Sequence, residues 1–309
     1  MTITETGKSI LLNHDSGTSA EIQYVPLQLR AAQHRIIAAT HLSTCDASSA
    51  IDHQLTSWKN GGKERFFVSS TSTMDSTKPI RGGIPIVFPI FGPPPSSPPE
   101  YAALSQHGFA RTQVWKLEHV IMDRKEGVSI RLAAPAPPNS FPHNYTLTYV
   151  VTLTAHQLST DVHITNNGDK DFIFQALLHT YLAVPDASKI SITGLDKGVA
   201  YFDKAGGRQM KQWSGGALTI DKETDAVFHS LPSPELKLED GTGSVLIVRF
   251  RGFEDCTIWN PQEAAGSKMA DMEAGGWERY VCIEPGYVRE FKTLKPGEEF
   301  LGQQILSVQ

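Results

Sequence analysis

The period-two alternation of apolar residues between positions 145 and 164 constrains the fold more than any other feature of the chain. Two runs carry this pattern, residues 145–153 and 158–164, with Ala155 and His156 between them. Because successive side chains of a β-strand point to opposite faces, such alternation is typical of strands with one buried face. Two runs around a short break predict an antiparallel hairpin.

A further strand is predicted at residues 172–179, which include His179 and follow the turn-forming residues Asn166-Asn-Gly168. Both faces of this strand are largely apolar, so we expect it to be central and covered on both sides. Beyond residue 60, no segment combines helical periodicity with helix caps, and short strands are predicted at residues 128–132, 190–193, 217–220, 244–250, 279–283, 288–292 and 303–307. The chain is therefore predicted to be all-β, a sandwich or a barrel.

Composition narrows the class of protein. Of the 309 residues, 40% are hydrophobic and 20% are charged, as in a globular chain and unlike a disordered one. The net charge of -5 argues against a nucleic-acid partner. The N-terminus has no signal pattern, and no apolar run reaches the roughly 18 residues of a membrane span. We therefore expect a cytoplasmic protein without membrane contact.

The three cysteines, Cys45, Cys256 and Cys282, are odd in number and widely spaced. This pattern favours reduced and mostly buried thiols over a disulfide framework or a zinc site.

Two segments depart from the strand pattern. Residues 93–100, PPPSSPPE, lack the backbone donors of a central strand and are predicted to form a surface loop. Residues 25–53 have little strand pattern and contain His34, His41 and His53, at spacings of 7 and 12 residues. Because these spacings match no compact ligand motif, we predict no metal site there.

Two arginine-containing stretches, Arg81-Gly-Gly-Ile-Pro85 and Gln106-His-Gly-Phe-Ala-Arg111, suggest an anion pocket. The guanidinium is permanently charged and planar, which suits a phosphate or carboxylate, and glycine lets the backbone approach a ligand closely. A single arginine is usually a surface residue paired with an acid. Here the glycine and proline context favours one wall of a pocket, in which Gln106 and His107 are suitable donors to sugar hydroxyls.

Three titratable residues are candidates for chemistry in this pocket. His179 has the near-neutral pKa that suits proton donation, although a single histidine on an apolar strand is usually a core residue. Glu284 precedes Pro285-Gly286, where we expect the strand to turn away and to hold the carboxylate rigidly. Asp225 is a suitable acceptor from sugar hydroxyls, although taken alone it is typical of a turn.

Several familiar motifs are missing from the sequence, namely GxxxxGK[ST], GxGxxG after a strand, HExxH, GxSxG and CxxC. Nucleotide-binding and serine-hydrolase functions therefore lose support.

An ordered set of short motifs, from about residue 54 to the end of the chain, resembles the glucose-6-phosphate 1-epimerase branch of the aldose 1-epimerase superfamily. Each motif is short, but their order makes the set specific. The motifs are Trp58-Lys59, Phe67-Val-Ser69, Lys78-Pro-Ile-Arg-Gly-Gly-Ile-Pro85, Gln106-His-Gly-Phe-Ala-Arg111, Ala176-Leu-Leu-His-Thr-Tyr181, Thr224-Asp225, Trp259-Asn-Pro261, Lys268-Met-Ala-Asp-Met272 and Cys282-Ile-Glu-Pro-Gly286.

The resemblance implies a galactose mutarotase-like β-supersandwich, in which antiparallel sheets pack face to face and a sugar binds in a cleft on one concave face. We expect one such domain over residues 1–309, with an atypical insertion at about 25–53. The insertion is interpreted either as a disordered segment or as an intron retained in a predicted gene model, so that it is translated in the sequence although the native protein lacks it.

The resemblance also implies the site. By motif position, His179 corresponds to the catalytic histidine of the family and Glu284 to its catalytic glutamate. The substrate-binding positions, with the arginines as phosphate ligands, fall on Arg81, Gln106, Arg111 and Asp225. The implied reaction is the interconversion of the α and β anomers of hexose 6-phosphates, chiefly glucose 6-phosphate, by an isomerase without a metal or organic cofactor. We expect a monomer.

Two alternatives stay open. One is an aldose 1-epimerase that acts on free hexoses, against which the arginine pair argues. The other is a non-catalytic sugar-phosphate binding protein on the same fold, against which the presence of both His179 and Glu284 argues.

Overall fold

The computed structural model describes residues 2–6, 8–23, 51–52, 54–74 and 78–309. Regular structure in these residues is almost entirely β, and the strand ladders between them are antiparallel, which confirms the all-β prediction. The predicted insertion, with its histidines and Cys45, lies outside the described residues except for Ile51–Asp52.

The first strands, in chain order, are β1 (Thr2–Glu5), β2 (Ser9–Asn13), β3 (Ser19–Gln23), β4 (Ile51–Asp52), β5 (Gln54–Asn60), β6 (Lys63–Glu64), β7 (Ile86–Val87), β8 (Val114–Arg124), β9 (Gly127–Ala133), β10 (Tyr145–Leu153) and β11 (Gln157–Asn166). The remaining strands are β12 (Phe172–Leu178), β13 (Tyr181–Ala183), β14 (Ser191–Thr193), β15 (Ala200–Asp203), β16 (Gln209–Gln212), β17 (Thr224–Phe228), β18 (Glu235–Glu239), β19 (Val245–Arg251), β20 (Asp255–Asn260), β21 (Tyr280–Leu294) and β22 (Glu299–Val308).

Helices in the described ranges are short. They are α1 (Pro99–Ala102), α2 (Gln262–Gly266) and 3-10 turns at Ala110–Thr112, Ala187–Lys189 and Gly276–Arg279. None of them has the length and hydropathy needed to cross a lipid bilayer. The proline-rich segment 93–100 is irregular up to the start of α1, as predicted.

The strands form three sheets. The first has five strands in the order β1-β2-β3-β5-β6. The second has nine, in the order β14-β18-β19-β22-β11-β10-β9-β8-β4. The third has eight, in the order β16-β15-β17-β20-β21-β12-β7, with β13 paired to β21. The predicted hairpin is confirmed as β10 and β11, which pair with Leu153 opposite Leu158.

A single large core packs between these sheets. It receives the apolar residues of one face of β10 and β11 from the nine-stranded sheet, and of one face of β12, β20 and β21 from the eight-stranded sheet. The prediction that residues 172–179 are central is confirmed, because β12 lies between β21 and β7 and its residues are mostly buried. The face of the eight-stranded sheet that points away from this core can therefore carry a functional site.

Two strand predictions were wrong. In the predicted strand 217–220, only Leu218 forms a bridge, with Ile192, because Gly215 and Gly216 adopt φ values of 90° and 87° and turn the chain just before it. The predicted break at Pro285-Gly286 does not occur.

Instead, β21 runs without interruption through this dipeptide, which is held on one side by β20 and on the other by β12. Gly286 serves close packing: a Cβ atom there would lie 2.8 Å from the Cβ of Leu177. Local turn propensity is overridden here because ladder partners on both sides hold the strand extended.

Replacement of Gly83 tests how tightly the first arginine-containing segment is packed. Gly83 has φ +60°, and a Cβ atom there would lie 2.2 Å from the carbonyl oxygen of Leu55. Gly61 has the same φ but no atom within 4 Å. We expect Gly61→Ala to lower the free energy of unfolding by about 1 kcal/mol and Gly83→Ala by about 3 kcal/mol. Urea unfolding measures both free energies. Equal destabilisation by the two variants would show that the close approach to the Leu55 carbonyl oxygen adds no cost at Gly83.

Candidate active site

The alternation of the strands places a set of polar side chains on the face of the eight-stranded sheet that is turned away from the core. Leu178, Ile258 and Ile283 are fully buried in the core, so their neighbours along each strand project from the opposite face. The polar residues that this geometry collects are His179, Asp225, Thr257 and Glu284.

Backbone hydrogen bonds lay the first arginine-containing segment alongside His179. The His179 N–H donates to the Pro85 carbonyl at 3.0 Å, and the Tyr181 N–H donates to the Gly83 carbonyl at 2.9 Å. This pairing brings the Arg81 side chain to the cavity that His179 also lines, although the two residues are distant in the sequence.

The second segment is fixed over the same cavity. The His107 N–H donates to the Gly92 carbonyl at 2.8 Å, and the Gly92 N–H donates to His107 Nδ1 at 3.2 Å. Because Nδ1 accepts this bond, the proton of the neutral imidazole is on Nε2. His107 and Gly108 adopt φ values of 65° and 71°, and a Cβ atom on Gly108 would lie 2.1 Å from the Phe88 carbonyl oxygen.

All six residues that the sequence analysis assigned to the site line one pocket of about 290 Å³, namely Arg81, Gln106, Arg111, His179, Asp225 and Glu284. The structure therefore brings the whole predicted set together. Asp225 lies within β17 and not in a turn, and Glu284 lies within β21 and not at a strand end. The other residues that line this pocket are Phe91, His107, Lys204, Thr257, Trp259 and Met269.

His179 and Glu284 form a desolvated contact at the floor of the pocket. His179 Nδ1 lies 3.3 Å from Glu284 Oε1, and the two side chains are 11% and 1% exposed. In the described part of the chain, neither Nδ1 nor either carboxylate oxygen makes a hydrogen bond. Since a buried polar atom without a hydrogen bond is costly, these atoms are suited to partners supplied by a bound molecule.

Burial shifts both pKa values of this pair toward the uncharged forms. The pKa of Glu284 is raised well above its ordinary value, first by burial and then by the charge of Asp225. The pKa of His179 is lowered well below its ordinary value, first by burial and then by His107, Arg111 and Arg81. Two groups with opposed shifts in one cleft are typical of acid and base pairs in enzymes.

The two arginines differ in how they are held. Arg81 donates from Nη2 to both carboxylate oxygens of Asp271 at 3.1 Å, and from Nη1 to the Tyr181 hydroxyl at 3.2 Å. Arg111 donates from Nη2 to the Gln106 carbonyl at 2.8 Å, and within the described ranges it forms no ion pair and its buried Nε has no partner. Arg111 is therefore the more available of the two for an incoming anion.

Sequence reasoning missed three residues that shape the site. Lys204 Nζ lies 3.1 Å from Asp225 Oδ2 and 4.7 Å from the centre of the Phe91 ring, and no motif marks it. Asp271 and Tyr181 were noted only as parts of family motifs. Tyr181 stacks on His179 with ring centres 4.9 Å apart, and its place two residues after His179 on an extended segment was a signal for a shared face.

Of the cysteines, Cys256 and Cys282 are free and buried, as predicted, and Cys45 lies outside the described residues. Cys256 belongs to the large core, whereas Cys282 lies beneath the pocket in a smaller cluster with Tyr181 and Tyr280.

Fold and site together define a β-sandwich enzyme of the sugar mutarotase class. The family model for aldose 1-epimerase matches residues 54–307, and the chain belongs to this family. A protein of Cenchrus ciliaris provisionally named glucose-6-phosphate 1-epimerase is 30% identical over 265 residues, which cover 82% of this chain and 78% of that protein. A protein of Escherichia coli with the same provisional name is 28% identical over 256 residues, or 81% of this chain and 83% of that one.

Solved structures confirm the fold. A protein of Salmonella typhimurium provisionally described as a mutarotase superposes with a TM-score of 0.77 at 22% identity, covering 100% of this chain and 96% of that one. The Slr1438 protein of Synechocystis superposes with a TM-score of 0.73 at 19% identity, covering 100% and 99%.

Replacement of Glu284 by glutamine tests the burial of its carboxyl group. Because the folded-state pKa is raised, the stability that this group contributes is present below pH 4.5, its ordinary pKa, and is lost as the pH rises toward the folded-state value. Glutamine has the same shape and does not titrate. We therefore expect Glu284→Gln to be more stable than the parent at neutral pH, with the difference shrinking toward pH 4.5.

Urea unfolding over this pH range measures the difference. The matched control is Glu290→Gln, because Glu290 lies on the same strand with 60% of its side chain exposed. A stability difference at Glu284 that does not vary with pH would contradict the expectation.

Proposed function

We propose that this protein interconverts the α and β anomers of hexose 6-phosphates, chiefly glucose 6-phosphate. The observation that carries the proposal is the buried contact of His179 with Glu284 in the same pocket as Arg81 and Arg111. Membership of the aldose 1-epimerase family supports the reaction, and the names of the Cenchrus and Escherichia relatives support the phosphorylated substrate.

The arginines are proposed to hold the phosphate. The second pKa of a phosphate monoester is about 6, so the group is largely dianionic at neutral pH. Arg111 offers a guanidinium that has no carboxylate partner among the described residues. Arg81 adds further positive charge, although its pairing with Asp271 partly offsets that charge. A phosphorylated sugar does not cross a bilayer unaided, because burial of its charge in hydrocarbon is costly, so enzyme and substrate must share a compartment. We propose that this compartment is the cytoplasm.

Ring opening requires two proton transfers at opposite ends of one C–O bond. The Glu284 carboxylate removes the proton of the C1 hydroxyl while the His179 imidazolium gives a proton to the ring oxygen. The bond between C1 and the ring oxygen breaks, C1 becomes an aldehyde, and rotation about C1–C2 exposes its other face. Closure with the proton flow reversed gives the other anomer and restores both side chains.

The protonation state of the pair adjusts to the substrate. An ionised Glu284 with a protonated His179 contains as many protons as the two neutral groups, so one transfer across their 3.3 Å contact interconverts the two states. The charges of Arg111 and Arg81 lower the pKa of His179, and a bound phosphate dianion offsets them. Hydroxyl groups that donate to the carboxylate favour its charged form. Substrate binding therefore favours the ionised form of Glu284 and the protonated form of His179, which are the forms that catalysis requires.

Replacement of either proton-transfer residue tests the mechanism. We expect His179→Ala and Glu284→Gln to lower the turnover of glucose 6-phosphate by about 10²–10⁴-fold, because each positioned acid or base contributes a factor of this size. NMR exchange spectroscopy measures the rate, with the uncatalysed rate subtracted. Calorimetry should show nearly unchanged sugar-phosphate binding.

Glu290→Gln serves as the control and should keep its turnover, since this residue is exposed and outside the pocket. Native anomer exchange in Glu284→Gln would refute the mechanism. Binding without any acceleration by the unaltered protein would instead support the non-catalytic alternative.

Replacement of Arg111 by glutamine tests the phosphate subsite. A charge-assisted hydrogen bond contributes about 1.5–3 kcal/mol, so we expect the KM for glucose 6-phosphate to rise by about 10- to 100-fold. Anomer exchange of free glucose should not change. Arg124→Gln, at an exposed position at the end of β8, is the matched control. Equal effects on both sugars would favour an aldose 1-epimerase for free hexoses.

A further inference from the structure

Two antiparallel segments place three potential metal ligands on one face of the sheet. Cys282 and Glu284 lie two residues apart on β21 and therefore point the same way. Tyr181 pairs with Cys282, and the Ile283 N–H donates to the Thr180 carbonyl at 3.2 Å, so the register places His179 opposite Glu284. The three residues thus form a compact triangle below the pocket.

The ligand atoms of the triangle are close and buried. His179 Nδ1 lies 3.3 Å from Glu284 Oε1, and these atoms and Cys282 Sγ all lie within 4.8 Å of one another. The residues are 9%, 1% and 0% exposed. Nδ1 and both carboxylate oxygens have no hydrogen-bond partner in the described part of the chain. Unpartnered buried donor atoms that converge are what a metal ion requires.

We propose that His179, Cys282 and Glu284 form an inhibitory binding site for Zn²⁺. Imidazole nitrogen, thiolate sulfur and carboxylate oxygen are the three ligand types that zinc takes in proteins. In tetrahedral coordination at about 2.1 Å, a nitrogen and an oxygen ligand are about 3.4 Å apart, close to the separation of Nδ1 and Oε1. Cys282 Sγ, which lies within 4.8 Å of these atoms, must come to about 3.6 Å from them to reach the Zn–S distance of about 2.3 Å.

The fourth coordination position faces the pocket, which His179 and Glu284 line. A metal ion reaches the triangle through this opening, and a water molecule completes the tetrahedron. On binding, the Cys282 thiol loses its proton to solvent, because a coordinated thiol is deprotonated. Two ligands of the thiolate and imidazole types select zinc and its chemical relatives over Mg²⁺ and Ca²⁺.

Nearby charges only partly oppose a cation at this position. The charge of Arg81 is partly offset by its pairing with Asp271, and that of Lys204 by its pairing with Asp225. Arg111 keeps its full positive charge among the described residues, and it weakens the site without removing any ligand.

Inhibition follows because the metal occupies both proton-transfer groups. This part of the inference rests on the proposed function, whereas metal binding itself rests on geometry alone. Zinc and the sugar phosphate should exclude each other, since the ion and its bound water would fill the part of the pocket between His179 and Glu284 where C1 and the ring oxygen must lie. In addition, a carboxylate bound to zinc cannot accept the C1 proton and a metallated imidazole cannot donate one. Zinc is therefore expected to act as a competitive inhibitor, reversed by a chelator.

Cobalt spectroscopy of the full-length protein tests the site without an activity assay. Co²⁺ takes the place of Zn²⁺ in such sites, and its bond to a thiolate gives an intense charge-transfer absorption. We expect this band in the unaltered protein, its loss on addition of Zn²⁺, and its loss in Cys282→Ala. Zinc affinity in Cys282→Ala should fall by about 100-fold, since changes that only surround metal ligands already cost 10- to 100-fold.

Cys256→Ala is the matched control, because Cys256 is equally buried on the neighbouring strand but belongs to the core face. It should keep both the band and the zinc affinity. Cys282→Ser also removes the thiolate. Comparison of its unfolding midpoint with that of the unaltered protein shows whether loss of the band comes from a folding defect. Absence of the band from the unaltered protein, or its persistence in Cys282→Ala, would overturn the proposal.

Activity assays then separate the two proposals. In the unaltered protein, Zn²⁺ should raise the KM for glucose 6-phosphate, and Mg²⁺ at the same concentration should not. Cys282→Ala should keep its turnover and lose this sensitivity. Zinc binding to a protein that does not accelerate anomer exchange would refute the proposed function but leave the metal site intact. Anomer exchange that zinc does not inhibit would refute the inhibitory role.

Discussion

The desolvated contact between His179 and Glu284 is the interaction on which the rest of this structure depends. A carboxyl group 1% exposed, without a hydrogen bond in the described chain, is costly to bury and is retained only where the fold holds it firmly. Here the carboxylate sits in the middle of the continuous strand β21, with β20 on one side and the segment after β12 on the other. The sheet supplies the rigidity that the site requires.

Charge around this contact is balanced in pairs. Asp271 faces Arg81 and Asp225 faces Lys204, which leaves Arg111 as the pocket cation without a described carboxylate partner. The same arginines that suit a phosphate also depress the pKa of His179. Anion binding and protonation of the imidazole are therefore coupled, so that the group that anchors the substrate also prepares the acid. Tyr181 connects the anion-binding arginine with the imidazole, since it accepts a hydrogen bond from Arg81 and stacks on His179.

Sequence patterns predicted the elements best where burial decides them. The alternation of residues 145–164 predicted the β10–β11 hairpin, and the two apolar faces of residues 172–178 predicted a central strand. Glycine and proline signals were less dependable. Pro285-Gly286 indicated a turn but lies within β21, because ladder partners distant in the sequence hold it extended. Conversely, Gly215 and Gly216 turn the chain, and the strand that was predicted just after them does not form.

The chain alone determined which residue types are available and which face of a strand each occupies, because alternation is a local property. The family resemblance assigned roles to six positions that the sequence had already marked as candidates, and the structure brings all six into one pocket. Tertiary structure alone decided that Lys204 meets Asp225, that Asp271 holds Arg81, and that Cys282 approaches His179. These contacts depend on the register between strands that are far apart in the chain, and no local sequence pattern encodes that register.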